Sequence, residues 1–276
     1  MKTARSRVLI SLALLAVTTN LYGQSSGSSS IGMRFGKDIS HAGKGAVRTL
    51  ASPFRWQAGD WAKFGVIIGG TAALFLVDEE VHNFFLRNQS STADKFADAG
   101  IWYGEPITVV TITGIYYVIG LVGDVAFLRE SGVALTGALV ATGAYQTLIK
   151  RAVGRARPEL GKGATAFDPF NDTQSYFSFF SGHTLAAMSL SHVFAKRIDN
   201  VPVKIVLYSL GSLTGLARMY ESDHWLSDVF VGSVVGILAV DSNLKWLERK
   251  KADGEYAGLQ WRMVPSTRGL GVDLEW

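Results

Sequence analysis

The chain has 276 residues, 48% of them hydrophobic and 18% charged, with 30 glycines and no cysteine. That balance leans towards a helical protein embedded in a membrane rather than a soluble enzyme, and a mean hydropathy of +0.20 requires long polar stretches between the apolar ones. The lack of cysteine excludes disulfides, thiolate catalysis and thiolate metal sites. The net charge of +4 is spread over both ends and the loops without an aromatic-interleaved basic tract, so no nucleic-acid partner is expected.

From the N-terminus, Lys2, Arg5 and Arg7 precede an apolar run from Val8 to Val17. This predicts a signal peptide or N-terminal anchor over residues 1–23. Residues 24–60 begin with the Ser/Gly-rich stretch SSGSSS, which has no means of building a core. They continue as a basic juxtamembrane segment with Lys37, Lys44, Arg48 and Arg55, and Trp56 and Trp61 read as interfacial aromatics ahead of a span. Apolar runs then predict helices near 61–77, 106–123, 131–149, 184–197, 203–217 and 229–247, several of them near the length that crosses a bilayer. Small residues such as Gly137, Gly211, Gly232 and Gly236 suit close helix packing in lipid. The expected fold class is therefore all-α: a multi-pass transmembrane bundle of about six helices spanning residues 61–247. Residues 78–100 read as an exposed, acidic helical loop. The C-terminal tail, 248–276, alternates weakly from Tyr256 onward, as an extended strand or hairpin would, and no function is assigned to it.

Three polar islands interrupt the helices. The first runs from Lys150 through Arg157 to Pro158 at the end of the third helix. Lys150 and Arg157 are seven residues apart and project to one side if the helix persists, and converging cations are what a phosphate dianion requires. The second is Phe180-Ser181-Gly182-His183. Ser181 is placed to cap the fourth helix, whose free N–H groups and dipole attract an anion. Gly182 admits close approach of a ligand, and His183 is placed to protonate a leaving oxygen. The third runs from Arg218 to Asp228. His224 and Asp228, at i and i+4, share one face on a helix, and a histidine oriented by a carboxylate beside an arginine suits attack on phosphorus. If the apolar runs span, all three islands lie on one membrane face, so the site is expected at the membrane surface. The five histidines show no metal-binding spacing, so no metal and no cofactor is expected.

The three motifs in order, K-x6-RP, SGH and R-x5-H-x3-D, resemble the signature of the type 2 phosphatidic acid phosphatase (PAP2) superfamily. The motif match covers Lys150 to Asp228, and the helix pattern extends it to about residues 60–247. Phe180 and Ala217 stand where the family's motifs usually carry proline and serine. The resemblance implies a metal-independent phosphatase. In it His224 attacks phosphorus to form a phosphohistidine, Asp228 accepts the other ring proton of His224, and His183 protonates the leaving alcohol and then activates water. Lys150, Arg157, Ser181, Gly182 and Arg218 would bind the phosphoryl oxygens. His41, His82 and His192 receive no role, and His192 is read as lacking a partner.

The substrate implied is a membrane lipid phosphate or an isoprenoid pyrophosphate, met at the lipid bilayer. The alternative within the superfamily is a soluble periplasmic acid phosphatase acting on small phosphomonoesters. Basic connections at 196–204 and 245–251 suggest a cytoplasmic face opposite the site, which puts the protein in a bacterial inner membrane with its site towards the periplasm. A cleaved signal followed by six spans would turn the site inward, so the signal and the span count conflict. Oligomeric state is not legible in the sequence.

Overall fold

The computed structural model describes residues 30–253 and the strand residues 260–266 and 269–275. The predicted signal or anchor over 1–23 and nearly all of SSGSSS lie outside the described residues. Helices run in the order α1 (Ile31–Leu50), α2 (Ala58–Phe75), α3 (Asp78–Arg87), α4 (Ser91–Gly104), α5 (Pro106–Val122), α6 (Ala126–Val153), α7 (Gly182–Ala195), α8 (Val201–Tyr220) and α9 (Leu226–Ala252). The antiparallel strands β1 (Gln260–Ser266) and β2 (Gly269–Glu275) follow, paired from Gln260–Glu275 to Ser266–Gly269. This is the hairpin expected of the tail. Each of the six apolar runs falls in a helix, and α1, α3 and α4 are additional.

The bundle is built around α7, which packs against α8, α9, α6, α4 and α5 and is buried along nearly its whole length. Small side chains let its neighbours approach. A Cβ at Gly232 of α9 would lie 2.4 Å from the Ser181 carbonyl oxygen, and one at Gly236 would lie 2.7 Å from that of Leu185. On the other side α8 packs on α4, where a Cβ at Gly100 would lie 2.6 Å from the Leu213 carbonyl oxygen, and Thr214 donates to Gly100 O at 2.7 Å. Substituting Gly232 with alanine meets backbone rather than a movable side chain. It should cost about 1–3 kcal/mol in a thermal or denaturant melt and lower turnover by separating α9 from the start of α7.

The bundle encloses a hydrophobic core but also exposes apolar side chains that a water-soluble one would cover. Val66, Ile68, Ile107, Val110, Ile115 and Val118 are exposed on α2 and α5, while Thr142, Ser189, Ser191, Thr214 and Asn243 are buried. An exterior of this kind is stable against hydrocarbon and unfavourable against water. By length and composition α6 and α9 are each able to cross a bilayer, and α4 with α5, bent by 56° at Glu105, form a third candidate if taken as one broken span.

Two segments depart from the sequence reading. The basic stretch within 24–60 is largely the amphipathic helix α1, with Asp38, His41, Gly45, Ala46 and Thr49 turned inward against α6 and α9. Asp38 accepts from Tyr117 at 3.0 Å and lies 3.6 Å from Arg129, and Asn243 donates to Thr49 at 2.9 Å. Residues 78–100 are helical and mostly exposed, as read, but depart in that Asp78 is fully buried and Ala97 and Gly100 pack on α8.

Candidate active site

Four chain segments meet at one end of the bundle: the end of α6 with the loop after it, the start of α7, the end of α8, and the start of α9. Helix α6 stops at Gly154, whose positive φ of 55° closes the helix with an N–H to Lys150 O bond of 2.9 Å. A side chain there would drive a Cβ within 1.9 Å of the Asp168 carbonyl oxygen, so the turn requires glycine. Lys150 is therefore on the helix and Arg157 beyond it. The two are brought together by the turn, not by two helical turns of spacing.

The loop from 155 to 181 is tied down by its backbone. Arg157 N donates to Ser175 O at 2.8 Å, Ser178 N to Arg155 O at 3.1 Å, and Glu159 N to Ser222 O at 3.0 Å across to the third motif. Lys150 Nζ donates to Phe177 O at 2.5 Å. Ser181 caps α7 as expected, its hydroxyl accepting from Thr184 N at 3.4 Å, while its own N–H donates to Asp228 O at 3.1 Å. Ser181 is fully buried, so its polar atoms serve the junction of α7 and α9. Gly182 is a packing position too, since a Cβ would lie 2.2 Å from the Gln146 amide.

The third motif is not helical where His224 sits. Helix α8 ends at Tyr220, α9 begins at Leu226, and both Asp223 N and His224 N turn back to Arg218 O, at 3.0 and 3.2 Å. His224 Nδ1 lies 3.9 Å from Asp228 Oδ2, facing it but beyond hydrogen-bond length. Burial away from water disfavours the imidazolium, with Lys150 and Arg218 acting in the same sense and Asp228 against it. The result pulls the His224 pKa down to about 3. The ring is thus neutral at neutral pH and has a free lone pair.

Asp228 is held by more than the histidine. Its Oδ1 accepts from Arg155 at 2.7 Å, and its Oδ2 from the Ser178 hydroxyl at 2.6 Å and from Trp225 N at 3.0 Å, the last capping α9. Arg155 in turn donates to Asp78 at 2.7 Å and to the Ser227 hydroxyl at 2.8 Å, and Ser227 also binds Asp78 through its N–H and hydroxyl, at 2.9 and 2.6 Å. The Arg155 guanidinium lies 4.4 Å from the Phe75 ring centroid and 5.4 Å from that of Trp225. All three charged residues are buried: Arg155 is 1% exposed, Asp78 and Asp228 0%. This fully partnered network fixes the carboxylate that faces His224.

Arg157 and Arg218 converge on Asp223. Arg157 Nη1 and Arg218 Nη2 each reach one oxygen of Asp223, at 2.7 and 2.5 Å. His183 Nε2 lies 3.1 Å from Glu105, at the bend between α4 and α5. Lys150, Arg157, Arg218, Asp223 and His183 are close enough to act on one another electrostatically. The structure thus brings together Lys150, Arg157, Ser181, Gly182, His183, Arg218, His224 and Asp228.

Sequence reasoning missed Arg155, Asp78, Ser178, Glu105 and Asp223. Arg155 lies inside the first basic island, and Asp223 directly precedes His224. Asp78 and Glu105 carry no local signal. His192, read as lacking a partner, has two: the Tyr208 hydroxyl at 2.7 Å from Nδ1 and Asp241 at 3.0 Å from Nε2. It joins α7 to α8 and α9.

The chain is similar to known proteins. The profile described as the PAP2 superfamily matches residues 131–251. A lipid A 1-phosphatase of Rhizobium etli is 24% identical over 197 residues, which is 67% of this chain and 82% of that protein. One from Porphyromonas gingivalis is 31% identical over 109 residues, 39% of this chain and 20% of that protein, and one from Rhizobium johnstonii is 31% identical over 107 residues, 38% and 43%. The chain thus spans a fifth to four-fifths of the length of these relatives. Among solved structures, Aquifex aeolicus LpxE aligns with a TM-score of 0.49 at 20% identity, covering 61% of this chain and 95% of that one. A transmembrane PAP2-type phosphatidylglycerolphosphate phosphatase from Bacillus subtilis aligns with a TM-score of 0.49 at 18% identity, covering 77% and 96%. With all three motifs converging on one site inside the matched region, residues 131–251 are similar to the PAP2 superfamily, and the protein is a phosphatase.

Proposed function

We propose that this protein removes a phosphate from a membrane lipid through a phosphohistidine intermediate. The observation that carries the reading is the meeting of Lys150, Arg157 and Arg218 with a buried neutral His224 at one end of a lipid-facing bundle. In the first step the His224 nitrogen turned away from Asp228 attacks phosphorus. The P–N bond forms as the P–O bond to the lipid breaks, and His183 gives its proton to the departing oxygen. The imidazolium formed on His224 gains from the Asp228 carboxylate, and closing their 3.9 Å separation to a hydrogen bond strengthens that gain as charge develops. In the second step water attacks the phosphohistidine, His183 takes its proton, the P–N bond breaks and phosphate leaves. Lys150, Arg157 and Arg218 offset the charge on the equatorial oxygens in both steps. Glu105, on the His183 ring, sets the orientation of the acid–base.

The relatives named lipid A 1-phosphatase favour a lipid A phosphate as substrate. Phosphatidate, phosphatidylglycerophosphate and undecaprenyl pyrophosphate share the chemistry of a phosphate on a lipid. The basic run to Lys251 at the far end of α9 lies about 35 Å along the helix from Asp228, the scale of a bilayer. With the basic end cytoplasmic, the site faces the periplasm of a bacterial inner membrane.

The reading is tested by phosphate release from detergent-solubilised protein on those four lipids and on p-nitrophenyl phosphate. Turnover of a lipid phosphate far above that of p-nitrophenyl phosphate is expected. A preference for the soluble ester, together with release of the protein from membranes by carbonate, would instead establish the acid phosphatase reading.

A further inference from the structure

The arginines that should receive a phosphate already hold an anion supplied by the chain itself. Asp223 spans the two arginines, Oδ1 on Arg157 Nη1 at 2.7 Å and Oδ2 on Arg218 Nη2 at 2.5 Å. A carboxylate and two oxygens of a phosphoryl group offer the same fork to a pair of guanidiniums, so one must leave before the other can bind.

The two aspartates of the third motif differ in how firmly they are held. Both Asp228 oxygens are committed to buried donors, and the residue is wholly buried. The Asp223 side chain is 17% exposed, and it reaches the two arginines that a phosphate would use. Its main chain is pinned by the N–H to Arg218 O bond of 3.0 Å, so rotation about the side-chain torsions is enough to move the carboxylate without moving His224. The arginines are also only partly satisfied. Nε of Arg157 and Nε of Arg218 are both buried without a hydrogen-bond partner, donors that a group with more acceptor oxygens can engage.

We propose that Asp223 is a resident stand-in for the substrate's phosphoryl group, holding Arg157 and Arg218 in register in the empty enzyme and displaced when phosphate binds. This rests on the assignment of those arginines to the phosphoryl site. A convergent cation cluster left open would keep any free phosphate, including the product. A tethered carboxylate competes with all of them equally, and the lipid substrate offsets that cost through its acyl chains, which inorganic phosphate lacks. Asp223 is thus a specificity-determining residue that trades phosphate affinity for product release.

The test is calorimetric titration of inorganic phosphate into the detergent-solubilised full chain, comparing wild type with Asp223→Asn and Asp223→Ser. Both variants are expected to bind phosphate at least about ten-fold more tightly, as loss of a competing charge-assisted pair implies. Product inhibition should strengthen in parallel, and KM for the lipid phosphate should fall. Weaker or unchanged phosphate binding in both folded variants would overturn the proposal, since a residue that merely orders the arginines would weaken binding when lost. Arg218→Gln separates the two levels. If phosphate binding in wild type is insensitive to that change, the phosphoryl-site assignment itself fails. If binding is lost there yet unaltered in the Asp223 variants, only the stand-in role fails.

Discussion

Replacing His224 with alanine is expected to reduce phosphate release by at least about a thousand-fold, because the proposed mechanism routes every turnover through its ring nitrogen. The covalent intermediate gives a second readout. Wild-type enzyme quenched in alkali during turnover of a labelled lipid phosphate should carry acid-labile label, and the alanine variant none. Persistent label would place the nucleophile elsewhere. The same residue gives the fold an acid sensitivity. The unfolded chain takes up a proton on this histidine near pH 6.5, the folded chain only near 3. Stability should therefore decline as pH falls from about 6.5 towards 3 and be independent of this group above that window. The alanine variant should lose that component of the slope, which melts at several pH values will reveal.

Replacing Arg155 with methionine should destabilise the protein by about 3–5 kcal/mol, the range for removing one partner from a buried ion network. Asp78 and Asp228 would be left facing each other's side of the gap with no cation between them. The loss should register as a lower thermal midpoint and as lower turnover, since Asp228 would no longer be aimed. Asp78→Asn on the same background should recover part of the stability, because it removes one of the two stranded charges. A double variant no better than the sum of the singles would show that the two side chains act independently.

The legible and illegible parts of this site differ in physical kind. Lys150, Ser181-Gly182-His183 and Arg218-x5-His224-x3-Asp228 could be read because each motif is short in sequence and its chemistry is local. The helices could be read because an apolar run of fifteen or more residues has few other uses. Spacing arguments succeeded only where the helix they assumed continues. Ser181 does cap α7. Lys150 and Arg157, however, meet around a glycine turn, and His224 precedes α9 instead of sharing a face with Asp228. What stayed hidden depends on contacts between distant segments. Asp78, in a stretch that reads as acidic and exposed, is buried 77 positions from its partner Arg155. Glu105 reaches His183 across 78 positions because α4 and α5 bend at that residue. The N-terminal basic segment was read as lying at the interface because its charges dominate its composition, while the face it buries is set by Asp38, His41 and three small residues.

The bond between Asp78 and Arg155 has a consequence for how this enzyme can be dissected. A fragment cut at residue 131, where the family match begins, would retain every recognisable motif. It would also lack the carboxylate that neutralises Arg155 and orders Ser227, the Glu105 that meets His183, and the α4 surface on which α8 rests. The chemistry is written in the second half of the chain, but the first half supplies the counter-charges that hold it still.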